Sequence, residues 1–175
     1  MTHPLVNLAR EAIRVYLETG ETLDVSERPG DGPACGLFVS LHDQPRPGEV
    51  EGDLRGCRGS IRPVSKTLYA EVVRQALYSA VDDPRCPSVE LDEVDKIDIT
   101  VYLLKPQERV HGLEELDPAR YGVIVEASGG RRALLLPGIP GIETAAEQVH
   151  LTKRKAFIRA DEAVRLYRFE AEVLR

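Results

Sequence analysis

Three cysteines stand in 175 residues, an odd number with no Cys-x-x-Cys pair among them. That fits reduced thiols in the cytosol better than a disulfide framework, and it gives no recognisable zinc-ligand spacing. No stretch approaches the ~20 apolar residues of a membrane span. A signal peptide is also lacking, because Arg10, Glu11 and Arg14 interrupt any apolar run near the N-terminus. Positive charge is in short supply: the formal net charge is -6 and the pI is near 5.3. This argues against a nucleic-acid binder driven by electrostatics. Arginines do cluster at 55–62 and again at 153–159, where a solvated or ion-paired face is the plainer reading. A soluble, cytoplasmic protein without a membrane segment, metal or cofactor motif is expected.

What is present is an ordinary globular balance, 42% hydrophobic and 30% charged residues. Leu5, Ala9, Ile13 and Tyr16 recur at helical spacing and predict a helix over about 3–19, closed near Gly20. Alternation over residues 34–41 predicts a well-buried strand, with Cys35 as inert core. Residues 42–53, rich in Pro, Gly and charge, read as a connection. Leu68, Val72, Ala76 and Ala80 form the stripe of a helix over about 65–81, broken by Asp82-Asp83-Pro84. Ile97, Ile99, Val101 and Leu103 alternate as a strand. Strands near 121–127 and 132–136 flank a Ser128-Gly129-Gly130 hairpin signal. Thr144 and Glu147 form a capping-box pattern for a helix to about Phe157, and Tyr167 to Val173 alternate as one closing half-buried strand. The class is therefore α+β, with an antiparallel or mixed sheet and flanking helices.

The most informative stretch is Leu54-Arg55-Gly56-Cys57-Arg58-Gly59-Ser60. A thiol acts as its thiolate, and fixed positive charge nearby lowers its pKa. Strand alternation puts Arg55 on the face of Cys57, and Arg58 and Ser60 on the other. The rival reading is a small cysteine packed tightly between glycines. A nucleophilic cysteine also needs a base; of the four histidines, His42 at the strand exit is the best placed, although an exposed loop histidine is the commoner case. The Cys-x5-Arg loop of cysteine-dependent phosphatases does not fit, since Cys57 to Arg62 is Cys-x4-Arg and Pro63 follows. No phosphate-binding glycine loop fits either. Asp83-Pro84-Arg85 is a second rigid turn, offering either a structural ion pair or a ligand contact. Cys86, before a proline, has nothing nearby to activate it.

At these residues the chain resembles the AMMECR-type family, also described as AmmeMemoRadiSam system protein A. The family hallmark is a Leu-Arg-Gly-Cys-Ile-Gly-Thr-like segment, matched by Leu54 to Ser60. Gly36 to Leu41, Asp82 to Val89, Tyr121 to Val125, Leu134 to Pro137 and Arg154 to Ala156 continue the likeness in order along nearly the whole chain. The resemblance implies one α+β domain over 1–175 with two unequal subdomains and the hallmark near a cleft. It also implies partners: a Memo-like protein, related to extradiol dioxygenases, and a radical S-adenosylmethionine protein. It assigns no reaction. Arg55, Gly56, Cys57, Gly59, Asp83 and Arg85 match the family pattern. Departures are Arg58 for isoleucine, Ser60 for threonine, Cys86 for phenylalanine and Phe157 for glycine. Two functions are thus expected as alternatives. One is an enzyme or binder of an unidentified small molecule, with Cys57 and Arg55 reactive and Gly56, Gly59, Ser60, Asp83 and Arg85 around the ligand. The other is a non-catalytic adaptor for those partners. RNA binding through the arginine clusters is a weaker third.

Overall fold

The computed structural model describes residues 2–49 and 51–175. Its helices are α1 (Pro4–Thr19), α2 (Leu68–Val81) and α3 (Ala145–Lys155). Its strands are β1 (Leu37–Asp43), β2 (Leu54–Ser60), β3 (Ile97–Leu104), β4 (Glu108–Val110), β5 (Gly122–Ala127), β6 (Arg132–Leu135), β7 (Val164–Phe169) and β8 (Ala171–Leu174). These fall into two compact units, one through Leu104 that also takes in Glu172–Arg175, the other Lys105–Ala171. The fold is α+β with two antiparallel four-stranded sheets.

In the first unit the sheet order is β2-β1-β3-β8. Pro4 suits the first turn of α1, where its missing N–H has no partner to lose. The helix stops at Gly20, left-handed at φ 77°, whose N–H returns to the Tyr16 carbonyl. Helix α2 begins at Leu68, later than its apolar stripe predicts. The cause is Glu71: its carboxylate accepts the Val64 and Ser65 N–H groups and holds that chain as a loop. Thr67 caps the helix at the Ala70 N–H. Leu37, Val39 and Leu41 of β1 and Ile97, Ile99 and Val101 of β3 form one core with Ala9, Ile13, Val72 and Ala76. Strand β1 starts three residues later than expected, so Cys35 precedes it and is half-buried rather than core.

In the second unit the order is β4-β7-β5-β6. Its β5–β6 hairpin turns at Gly129 and Gly130, both at positive φ. The capping box forms as the pattern predicts, with Thr144 and Glu147 each binding the other's backbone N–H. Val110, Val123, Val125, Val149 and Ile158 make its core. The closing strand is not one strand but two. β7 pairs with β4 and β5, whereas β8 borders β3 in the other sheet. Alternation runs through Glu170 without a proline or glycine, so the change of sheet leaves no local mark. Among the described residues, no helix is long and apolar enough to cross a membrane.

Candidate functional site

The site is built on one unit's sheet, where β2 is an edge strand. Cys57 lies opposite Ser40 of β1, and Ser40 lies opposite Thr100 of β3. Side chains in register share a face, so these three form a row. The neighbouring positions Val39 and Val101 point into the helix-covered core, and the row therefore occupies the sheet's other face. Ser40 is 5% exposed and Thr100 8% exposed, while Cys57 is half-buried. The Thr100 hydroxyl makes no hydrogen bond among the described residues. His42 follows Ser40 on that face. Its Nδ1 lies 3.5 Å from the Ser40 hydroxyl and 3.6 Å from Glu51 Oε1. Phe38, Gly59 and Tyr102 form the next row. Gly59 has no substitute there, because a Cβ would stand 2.3 Å from the Phe38 ring. Burial pushes the Tyr102 phenol up, and the charges of Glu51 and Cys57 add to it.

The backbone of Cys57 is held from the outer edge by the Asp83-Pro84-Arg85 turn. The Cys57 N–H donates to Asp83 Oδ2 at 2.9 Å, and Arg85 Nη2 donates to the Cys57 carbonyl at 3.0 Å. Asp83 and Arg85 are also an ion pair at 2.5 Å, with Arg85 Nε 2.9 Å from Asp83 Oδ1. Arg85 foremost, then the two backbone N–H groups, hold the Asp83 carboxyl well below its ordinary range against the opposing effect of burial. Asp83 in turn raises the Arg85 pKa most, and the charges of Cys57 and Cys86 raise it further. Arg85 thus brings a guanidinium within electrostatic reach of the thiol. The turn is thus a structural ion pair that grips the hallmark cysteine.

Arg55 is placed differently from its expectation. Leu41 pairs with Gly56 and His42 with Leu54, so Arg55 is the extra residue of a β-bulge. Strict alternation, which alone put Arg55 beside the Cys57 sulfur, breaks at that residue. Its guanidinium is bound by Glu93 at 2.8 and 2.9 Å and by Asp43 at 3.0 Å. Two carboxylates, Glu93 foremost, raise the arginine's pKa and outweigh its single charge locally. In return Arg55 pulls Glu93 down to about 2.

Gly56 and Ser60 face α2 rather than the row. A Cβ on Gly56 would lie 1.9 Å from the Ser79 carbonyl oxygen, so only glycine lets helix and strand approach this closely. The Ser79 hydroxyl is inserted in the β1–β2 ladder. It accepts the Arg58 N–H at 2.9 Å and donates to the Val39 carbonyl at 2.7 Å. Ser60 donates to Glu71, which is fully buried and ionised among Ser60, Val64, Ser65 and Gln75 donors. Those bonds outweigh burial and lower its pKa. Arg58 points away from Cys57, as alternation predicts, to 3.8 Å from Asp82. Cys86 donates its thiol to the Leu54 carbonyl at 3.4 Å, and burial foremost raises the Cys35 thiol. A separate cavity of about 330 Å³, lined by Pro4, Leu8, Arg28, Pro29 and Tyr69, includes none of these residues.

Sequence reasoning missed Ser40, Thr100, Glu51 and Ser79. Parity along β1 was enough to put Ser40 with His42. Which strand lies opposite is a matter of pairing, and local pattern does not carry it. Among the described residues no group of three or more His, Cys, Asp or Glu side chains could hold a metal ion.

A Thermotoga maritima protein is 40% identical over 174 residues, covering 97% of this chain and 96% of that protein. A Clostridium acetobutylicum protein is 39% identical over 171 residues; the match takes in 95% of this chain but only 34% of the relative. The crystal structure of the uncharacterised protein PH0010 from Pyrococcus horikoshii superposes with a TM-score of 0.85 at 35% identity, covering 97% of this chain and 88% of that one. The AMMECR1 family matches residues 6–174, and the chain is a member of that family.

Proposed function

We propose that the protein binds a small molecule along the row Cys57–Ser40–Thr100 and that Cys57 is the reactive thiol of the site. The observation that carries this reading is Thr100, a hydroxyl-bearing residue 8% exposed, in register with Ser40 and Cys57. The row offers a ligand two hydroxyl oxygens and a thiol along one strip of the sheet. Arg85 supports the reading from the edge, since a nearby guanidinium favours the thiolate. Within it Asp83, Gly56 and Ser60 hold the strand in place, and Gly59 and the exposed part of Arg85 border the ligand. Arg55 supports the architecture through Glu93 and Asp43 rather than touching sulfur.

The test is peptide-resolved labelling of all three thiols with iodoacetamide across pH. Cys57 is expected to react with a midpoint below the ordinary thiol value of about 8.5. A midpoint at that value, with Cys57 no faster than Cys86, removes the reactive thiol from the proposal.

The Clostridium acetobutylicum relative favours a second reading, because there the matching region is about a third of a longer protein. A domain used jointly with other chain is consistent with an adaptor for a Memo-like protein and a radical S-adenosylmethionine protein. Co-expression with those two and recovery of a stable complex supports it; a monomer that retains neither counts against it.

A further inference from the structure

We infer that His42 is the proton acceptor for Cys57 and that Glu51 positions it, an inference that rests on the proposed role of the thiol. Three observations on the sheet carry it. First, His42 and Cys57 share a face, with Cys57 opposite Ser40 and His42 two residues further along β1. Such diagonal neighbours have Cβ atoms roughly 7–8 Å apart, within reach of a histidine ring. Second, the His42 side chain is 15% exposed and therefore held rather than free in solvent. Third, its two ring nitrogens are not equivalent. Nδ1 faces the Ser40 hydroxyl at 3.5 Å and the Glu51 carboxylate at 3.6 Å, whereas Nε2 makes no hydrogen bond among the described residues.

With the Ser40 hydroxyl and the Glu51 carboxylate on the Nδ1 side, a proton on Nδ1 leaves Nε2 as the accepting nitrogen. The same division of labour orients the histidine of hydrolytic triads, where one nitrogen is fixed and the other works. The charged and titratable groups around this face are Glu51 from the connection before β2, Asp98 opposite His42 on β3, Tyr102, Cys57, Arg85 at the strand's outer edge and Arg175, whose charge reaches Tyr102. In the step itself the Sγ–H bond breaks, an N–H bond forms at Nε2, and the electron pair stays on sulfur. With iodoacetamide an S–C bond then forms and iodide leaves. No oxidant or reductant takes part.

The decisive measurement is the pH profile of Cys57 alkylation by iodoacetamide in the full chain, for wild type, His42→Gln and Glu51→Gln. Wild type is expected to show a midpoint about two pH units below the ordinary thiol, and His42→Gln a return to about 8.5. At about pH 6.5 that change slows alkylation about sixfold, because the larger thiolate fraction is partly offset by lower nucleophilicity. Glu51→Gln, on the exposed connection, tests the positioning role if His42→Gln does not fold. It is expected to move the midpoint in the same direction by a smaller amount. A low wild-type midpoint that neither substitution moves overturns this inference and leaves the reactive thiol standing. An ordinary wild-type midpoint overturns both.

Discussion

The two sheets have the same strand number and opposite habits with polar groups. The first unit buries Ser40, Glu71, Gln75, Ser79, Asp83 and Thr100, whereas the second buries Gln148 and Thr152. In the second unit, charge stays outside. Arg165 meets Glu126, Arg168 meets Glu108, and Arg120 and Lys105 meet Glu170, each pair with one partner open to solvent, while Arg132 and Glu126 pair half-buried. Exposed pairs of this kind contribute little stability, about 0–1 kcal/mol each. Buried polar groups are costly unless bonded, and three of the six in the first unit bond β2 or the loop that follows it. The difference teaches where positional accuracy has been built in. One strand, the one carrying Cys57, is fixed from the helix side by Ser79 and Glu71 and from its edge by Asp83.

The contrast breaks most sharply at Gly56. Gly56→Ala forces a methyl against the Ser79 carbonyl, and we expect a loss of about 3 kcal/mol or more in urea unfolding, or no folded protein. Glu71→Gln is the next largest. It turns an amide N–H₂ toward two of the four donors, and about 2–3 kcal/mol of destabilisation is expected, with loop 61–66 becoming protease-sensitive. A full-strength loop after that change would show the buried carboxylate to be dispensable.

The pH response is smaller. Glu93 titrates at about 2 in the folded protein and at about 4.3 when unfolded. A depressed folded value gives stability that is present above the unfolded value and lost as pH falls through the folded one. Unfolding free energy should therefore decline between about pH 5 and pH 2, and Glu93→Gln should flatten that decline. An unchanged slope in the variant would assign the decline to Asp83 instead, whose carboxyl is also held low. The smallest effect has the opposite sign and lies in the second unit. Phe157 follows α3 in the left-handed region at φ 54° and is 89% exposed. Its N–H and that of Ile158 close the helix onto Arg154 and Lys153, a motif that favours glycine at Phe157. Phe157→Gly should raise the melting temperature slightly, by up to about 1 kcal/mol of stability. A fall would mean that the ring contributes packing its exposure conceals.

The elements legible in sequence were those with a strong local signature. Periodicity and caps gave α1 and α3 closely, and alternation gave β3 and the β5–β6 hairpin. Short β4 has three residues, too few for a pattern, and the switch from β7 to β8 has no local marker. At the site, the hallmark segment and the Asp83-Pro84-Arg85 turn were readable as residues of interest. Their joining was not, since it depends on the bulge at Arg55 and on strand register, both products of tertiary pairing.

The grip of Asp83 and Arg85 on Cys57 also bears on how the chain behaves in a crowded solution. An edge strand with bare N–H and C=O groups is a template on which another chain can pair, and it invites fibrillar association. At Cys57 both outward groups are already bound by a turn of the same molecule, one partner acidic and one basic. The clamp that steadies the thiol is therefore also a guard against strand addition. Asp83→Ala should be the substitution that makes this protein aggregate before it unfolds.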